Sequence, residues 1–279
     1  MRIALCLVIA VTLRAADGNP SIEELKAAEL SAGFHPAGNF AHADAAVAYY
    51  RCYFTGKVEL PDSYDQLGLR EGTKDGCQLD ASKYDVFFYA IEAVASGHDP
   101  ITPALKAATP ERRATVVPHE DFHAQVERLP TAIAEAAATL EGFLTAAEAL
   151  HEPPSEAGLF LQKAEMVNRY YERLRVVYRS GHNRSAALAE KERLFAALAR
   201  ECASIRPEPR SFNKCVSAPN NAGLAFDRTY TQYYPLLYRV YLACAEDLRC
   251  TTEAILKAPQ KRPAAEVVRY LEAAAGARH

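Results

Sequence analysis

No run of like charges and no basic stripe occurs in the 279 residues, and the formal net charge is only −3. Phosphate backbones are gripped by clustered lysine and arginine, so the charge pattern argues against nucleic acid as a partner. The apolar stretch from Ile3 to Leu13 falls short of the about 20 residues that a helix needs to cross a bilayer, so no stable membrane span is expected. No cysteine pair has the spacing of a zinc knuckle, which argues against a structural cysteine–zinc site. No internal repeat is visible, and no linker is long enough to divide the chain. One domain over residues 17–279 is therefore expected.

What the sequence has in quantity is apolar residues, 49% of the chain, with alanine, leucine and glutamate dominant. Unbranched side chains lose little entropy in helices, so the composition favours them. At the start, Arg2 precedes Ile3 to Leu13, and the small residues Ala15 and Ala16 follow. This is the pattern of a secretory signal over residues 1–16, and it predicts a secreted or periplasmic protein; a buried N-terminal helix is the plainer alternative. Cys6 lies inside that leader, which leaves Cys52, Cys77, Cys202, Cys215, Cys244 and Cys250. An even number in an exported chain points to disulfides. Of the about fifteen pairings open to six cysteines, the sequential one is preferred, because the cysteines fall in three close pairs. Cys202–Cys215 would then staple the loop Arg206-Pro207-Glu208-Pro209 between two helices.

Breaker residues divide the chain. Helical segments with a tyrosine-rich patch (Tyr49-Tyr50, Tyr53-Phe54) are expected between about 21 and 60, and loop from 61 to 80. A short helix is expected from Ser82 to Ser96. The β-branched run Ala114-Thr115-Val116-Val117 reads as a short strand, leading into a helix from Pro118 to about Arg128. Pro130 begins a helix to about His151. A long amphipathic helix follows Pro153-Pro154 and ends near Gly181, and another spans Ser185 to Ala203. After Asn220-Asn221 a helix carries Tyr230, Tyr233 and Tyr234 and is kinked at Pro235. Two short helices close the chain.

His119-Glu120-Asp121-Phe122-His123 has the spacing His-Glu-x-x-His. Positions i and i+4 share one helix face, so two imidazoles can hold one zinc while Glu120 acts as general base on the metal's water. The plainer reading is a pair of inert surface histidines. The expected strand before the motif favours the enzyme, since a strand edge can hold an extended peptide beside the metal. Glu135, Glu141 and Glu148 are candidates for the third ligand. Glu135 is preferred, because a tight turn at Pro130 would bring it back beside the histidines and the alanines around it allow close approach. Thr139, one turn on, could donate a hydrogen bond to a ligand. The expected fold class is mainly α, a helical zinc-metallopeptidase domain with a minor β element.

From Ala114 to about residue 258 the sequence resembles a bacterial family of aminopeptidases within the glutamate-liganded zinc peptidases. The resemblance rests on Ala114 to Gln125, on Glu135-Ala136-Ala137-Ala138-Thr139, on Tyr178-Arg179-Ser180 and Lys191, and on Asn220-Asn221-Ala222-Gly223-Leu224-Ala225 with Thr229-Tyr230. It implies His119, His123 and Glu135 as zinc ligands, Glu120 as base and Tyr230 as a donor to the oxyanion. The chain departs from the family at Ala134, where asparagine is usual, and in the filling Asp121-Phe122.

Read from spacing alone, Tyr230, Tyr233, Tyr234, Tyr238 and Tyr241 follow a helical period, and several should pack in the core. Asn220-Asn221 reads as a helix cap. The expected activity is hydrolysis of peptide bonds in a peptide or protein substrate. No acid that would hold a free amine stands out, so exopeptidase and endopeptidase both fit. Two other readings are a non-catalytic exported scaffold with a structural or degenerate metal site, and a zinc enzyme acting on a non-peptide amide. His35, His42 and His98 are further candidates to reach the cleft.

Overall fold

The computed structural model describes residues 20–46, 49–72, 77–93, 97–181 and 183–276, so the expected leader over 1–16 lies outside them. Helix α1 (Ile22–Ala32) starts at a capping box between Ser21 and Glu24 and stops at Gly33, whose φ of 98° suits glycine. Three antiparallel strands follow, β1 (Tyr49–Gly56), β2 (Gly68–Glu71) and β3 (Tyr84–Ile91), in the order β2-β1-β3. This corrects the helices expected around the tyrosine patch and over 82–96, and it places a strand in the stretch read as loop. Tyr-Asp-Val-Phe-Phe-Tyr-Ala-Ile is rich in aromatic and β-branched side chains that suit a pleated, half-buried surface. Register pairs Arg51 with Tyr89 and Tyr53 with Phe87, so these four share one face. On the other face Tyr50 stacks on Phe88, centroids 5.9 Å apart.

The rest is helical. Short α2 (Pro103–Ala107) leads to α3 (Pro110–Val126), then α4 (Thr131–Leu150), α5 (Ser155–Arg179) and α6 (Arg184–Cys202). Next come α7 (Asn221–Thr231), α8 (Tyr234–Ala243), α9 (Leu248–Leu256) and α10 (Ala264–Gly276). The strand expected at Ala114–Val117 is the first half of α3. Thr109 caps that helix by accepting from the Arg112 amide, and Pro110 stands at its first turn. All four residues are buried, and that burial outweighs the few tenths of a kcal/mol that β-branching costs a helix. Pro118 therefore sits inside a helix, not at its start. Pro235 has a stronger effect than the expected kink: the helix stops at Thr231, where the ring would clash with the carbonyl four residues back, and α8 begins afresh.

Helix α4 is buried along most of its length and packs against α3, α5, α8 and the C-terminal helices around Phe122, Ile133, Leu140, Leu237, Ile255 and Leu271. A second core joins α5 and α6, and a third lies between α1, α2 and α3. The sheet rests on α7 through Tyr53, Leu67, Ala222, Ala225 and Phe226. Three cysteine pairs stand at disulfide distance in the expected sequential order, Cys52–Cys77, Cys202–Cys215 and Cys244–Cys250, an arrangement that fits an oxidising compartment. No described helix is long and apolar enough to cross a membrane.

A buried polar knot ties the sheet to the helices. Asp85 of β3 pairs with Lys57 at 2.9 Å and with Lys191 of α6, and it accepts from the Asn221 amide at 2.8 Å. The Asn221 side chain donates to the carbonyls of Lys57 (3.1 Å) and Glu59 (2.8 Å) and accepts from Tyr178 at 2.9 Å. Lys191 and Asn221, far apart in the sequence, thus meet at one carboxylate, and Tyr178 joins them through Asn221.

Candidate metal centre and cavity

Helices α3 and α4 lie side by side because the turn after Val126 ends at Pro130, which opens α4. Gly142 permits the approach: a Cβ there would stand 2.8 Å from the Thr115 carbonyl oxygen and 3.2 Å from the His119 Cβ. On α3, His119 and His123 share one face, with their Nε2 atoms 3.2 Å apart. Across the gap, Glu135 Oε2 lies 3.4 Å from His119 Nε2 and 3.3 Å from His123 Nε2. Asp121 and Phe122, the unusual filling, turn the other way. Asp121 pairs with Lys26 and accepts from Asn39 Nδ2 at 2.9 Å, and Phe122 packs on Phe34 at 4.9 Å.

Three donor atoms about 3.3–3.4 Å apart form the face of a tetrahedron whose centre lies about 2.0–2.1 Å from each, the bond length of a zinc site. The residues fit a second test. Glu135 Oε1 accepts a hydrogen bond from Tyr64 at 2.6 Å, whereas Oε2 is buried and makes none. A buried carboxylate oxygen left unbonded is costly, and a cation between it and the imidazoles would satisfy it.

Charge in the cluster follows from the same geometry. Burial alone would raise the Glu135 carboxyl, but His123 and His119 hold it well below the usual carboxylate range. Burial disfavours a charged His123, yet the Glu135 carboxylate outweighs that and pushes the ring up to about 9. Burial raises the Glu120 carboxyl, with His119 and His123 opposing. The hydroxyl of Tyr230 is pushed up, first by burial and then by Glu135.

The cluster opens on a cavity of about 1130 Å³, lined by the inward face of β1 and β3, by α3 and α4, and by the segment Arg210–Asn213. Glu120 and Tyr230 both line it, and the Tyr230 ring lies 6.2 Å from the His119 ring. The structure thus brings together His119, Glu120, His123, Glu135 and Tyr230. It separates others. Glu141 faces away from the cavity and accepts from Thr252 at 2.8 Å, and Glu148 is exposed. Thr139 bonds the main-chain oxygen of Glu135 at 2.7 Å, not its carboxylate. His35, His42 and His98 are exposed and lie outside the cavity lining.

A strand edge is present, although not in α3. β3 is at the edge of the sheet. Its register with β1 turns the main-chain groups of Val86, Phe88, Ala90 and Glu92 outward. Asn220 takes the Val86 carbonyl and Thr102 the Glu92 carbonyl, which leaves Phe88 and Ala90 without a partner among the described residues. Ala90 lines the cavity.

Spacing gave no sign of Tyr64, which bonds a residue 71 positions away, or of Arg112, which pairs with Glu92 at 2.7 Å and donates to the Ser211 carbonyl at 3.0 Å. Only the richness in tyrosine hinted at the rings on the cavity wall.

The family described as "Putative aminopeptidase" matches residues 70–268. No curated protein and no solved structure matches the chain significantly.

Proposed function

The chain belongs to this aminopeptidase family, and from that premise we propose that it is an exported zinc peptidase, single-domain beyond its leader, that removes residues from the N-terminus of peptides. The observation that carries the reading is the triangle of His119 Nε2, His123 Nε2 and Glu135 Oε2, with sides of 3.2–3.4 Å, beside a cavity. These three residues would hold the metal in a glutamate-liganded site. A bound zinc would polarise the substrate carbonyl and lower the pKa of a bound water to about 7.

The protein's own groups do the rest. Glu120, its carboxyl raised by burial, takes a proton from the attacking water and hands it to the departing amine. Tyr230, whose hydroxyl is held protonated by burial, donates to the oxyanion as the carbonyl becomes tetrahedral. Tyr64 fixes the Glu135 carboxylate by bonding Oε1, which leaves Oε2 as the oxygen that would hold the metal. The free edge at Phe88 and Ala90 accepts an extended substrate main chain. The leader pattern over residues 1–16 and the three cysteine pairs support export.

Metal analysis of the purified mature protein tests the reading. About one zinc per chain is expected, lost in His123→Ala. Glu120→Gln should keep the zinc and lose about 10²–10⁴-fold in peptide hydrolysis. A wild-type chain that takes up no metal when incubated with zinc would mean that His123 and Glu135 form only a structural ion pair.

A further inference from the structure

Six aromatic rings form one continuous wall on the sheet side of the cavity, and all six line it. Tyr64 reaches Glu135, and its ring is 6.2 Å from that of Tyr230, itself 6.2 Å from the ring of His119. Phe226 joins Tyr230 at 5.2 Å and Phe87 at 4.9 Å. Tyr53 and Tyr89 complete the wall, 5.6 and 5.1 Å from Phe226. Rings that served only to pack would be covered. Here Tyr64, Phe87, Tyr89 and Tyr230 are each only half-buried.

Apart from Glu120, which the proposed reaction uses as its base, the charged side chains around this wall are paired. Arg51, at its outer end, is held by Glu71 at 3.6 Å and donates to the Tyr53 hydroxyl at 3.4 Å. Arg112 is paired with Glu92 at 2.7 Å, and Lys163 with Asp227, next to Phe226 on α7, at 2.9 Å. A charged side chain laid on the rings would leave water without gaining a counter-ion, whereas a flat or bulky apolar one buries area and stacks.

We propose that this wall is the specificity pocket of the site, receiving an aromatic or large aliphatic side chain from the substrate residue beside the scissile bond. The inference rests on the peptidase reading for its reaction, and on the wall alone for its ligand. Calorimetric titration of the full mature chain with L-phenylalaninamide, L-alaninamide and L-lysinamide tests it, once zinc-loaded and once with a chelator present. Phenylalaninamide should bind about tenfold or more tightly than alaninamide in both states. Phe87→Ala should remove the preference at unchanged zinc stoichiometry, and Phe226→Leu, which keeps apolar bulk in the core, should reduce it. Equal binding of the three would overturn the proposal, as would a preference for lysinamide, the mark of a cation–π cage. If the phenylalaninamide preference holds but no peptide is cleaved, the pocket stands and the peptidase reading falls. If alanyl and phenylalanyl peptides are cleaved alike and bound alike, the reverse holds.

Discussion

Two buried polar clusters, one at Glu135 on the cavity and one at Asp85 outside its lining, differ in how fully their polar groups are used. At Asp85 every strong group is used: both carboxylate oxygens are taken, and the Asn221 amide makes all its bonds. At Glu135 one oxygen is bonded and the other, between two imidazoles, is not. A satisfied network stabilises a fold, whereas a lone pair left open in a dry place marks where something else is bound. Glu141, on the far side of α4, is an intermediate case. One of its oxygens accepts from Thr252 and the other is unbonded, but it does not line the cavity and, among the described residues, joins no cluster of histidines and acids that could hold a metal. An unbonded oxygen therefore points to a ligand only when other donors converge on it.

The comparison can be broken most forcefully at Asp85. Asp85→Ala leaves Lys191 and Asn221 buried without their partner and should cost about 3–5 kcal/mol in urea denaturation. Zinc stoichiometry of the folded fraction should not change. A loss under 1 kcal/mol would mean the knot is not structural.

A subtler effect is expected at Glu141, whose carboxyl burial raises from 4.5 to about 8. The unfolded chain loses this proton near the ordinary value and the folded chain keeps it. Its contribution to stability is thus full below about pH 4.5 and is lost as pH rises to about 8. Glu141→Gln should abolish that slope, leaving the variant more stable than the wild type at pH 8 by a few kcal/mol. Glu29, raised to about 9 by burial and by Asp121, titrates in the same direction. The difference between variant and wild type is therefore the quantity to follow; parallel curves would refute the assignment.

The smallest effect sharpens the contrast. Tyr64→Phe removes one hydrogen bond to a ligand and should weaken zinc about 10–100-fold in a competition titration, with little change in melting temperature. If zinc affinity holds, Tyr64 does not orient Glu135.

The sequence made the helical half of this site legible. His119, Glu120 and His123 follow a fixed spacing, and Pro130 forces the turn that returns Glu135. Breakers also bounded α4, α5 and α6 to within a few residues. The strands were misread because Tyr49–Gly56 and Tyr84–Ile91 are covered in part on both faces, which blurs the two-residue alternation. Ala114–Val117 misled for the opposite reason: a local β preference was overridden by burial and by a cap at Thr109 that lay five residues upstream. Tyr64 and Asp85 act through contacts 71 and more than 100 residues long, and no local pattern encodes those.

The staple between Cys202 and Cys215 closes the segment that holds Ser211, Phe212 and Asn213 on the cavity, while among the described residues no cysteine lines the cavity or joins the ligand triangle. Under the proposed function the protein would be finished by two independent chemistries: loading with metal, which needs no oxidant, and setting of one wall, which does. A Cys202→Ser, Cys215→Ser chain should carry its zinc as the wild type does and yet discriminate poorly among substrates that reach that wall. For a molecule exported as proposed, the oxidising compartment would be a stage of manufacture as well as a destination.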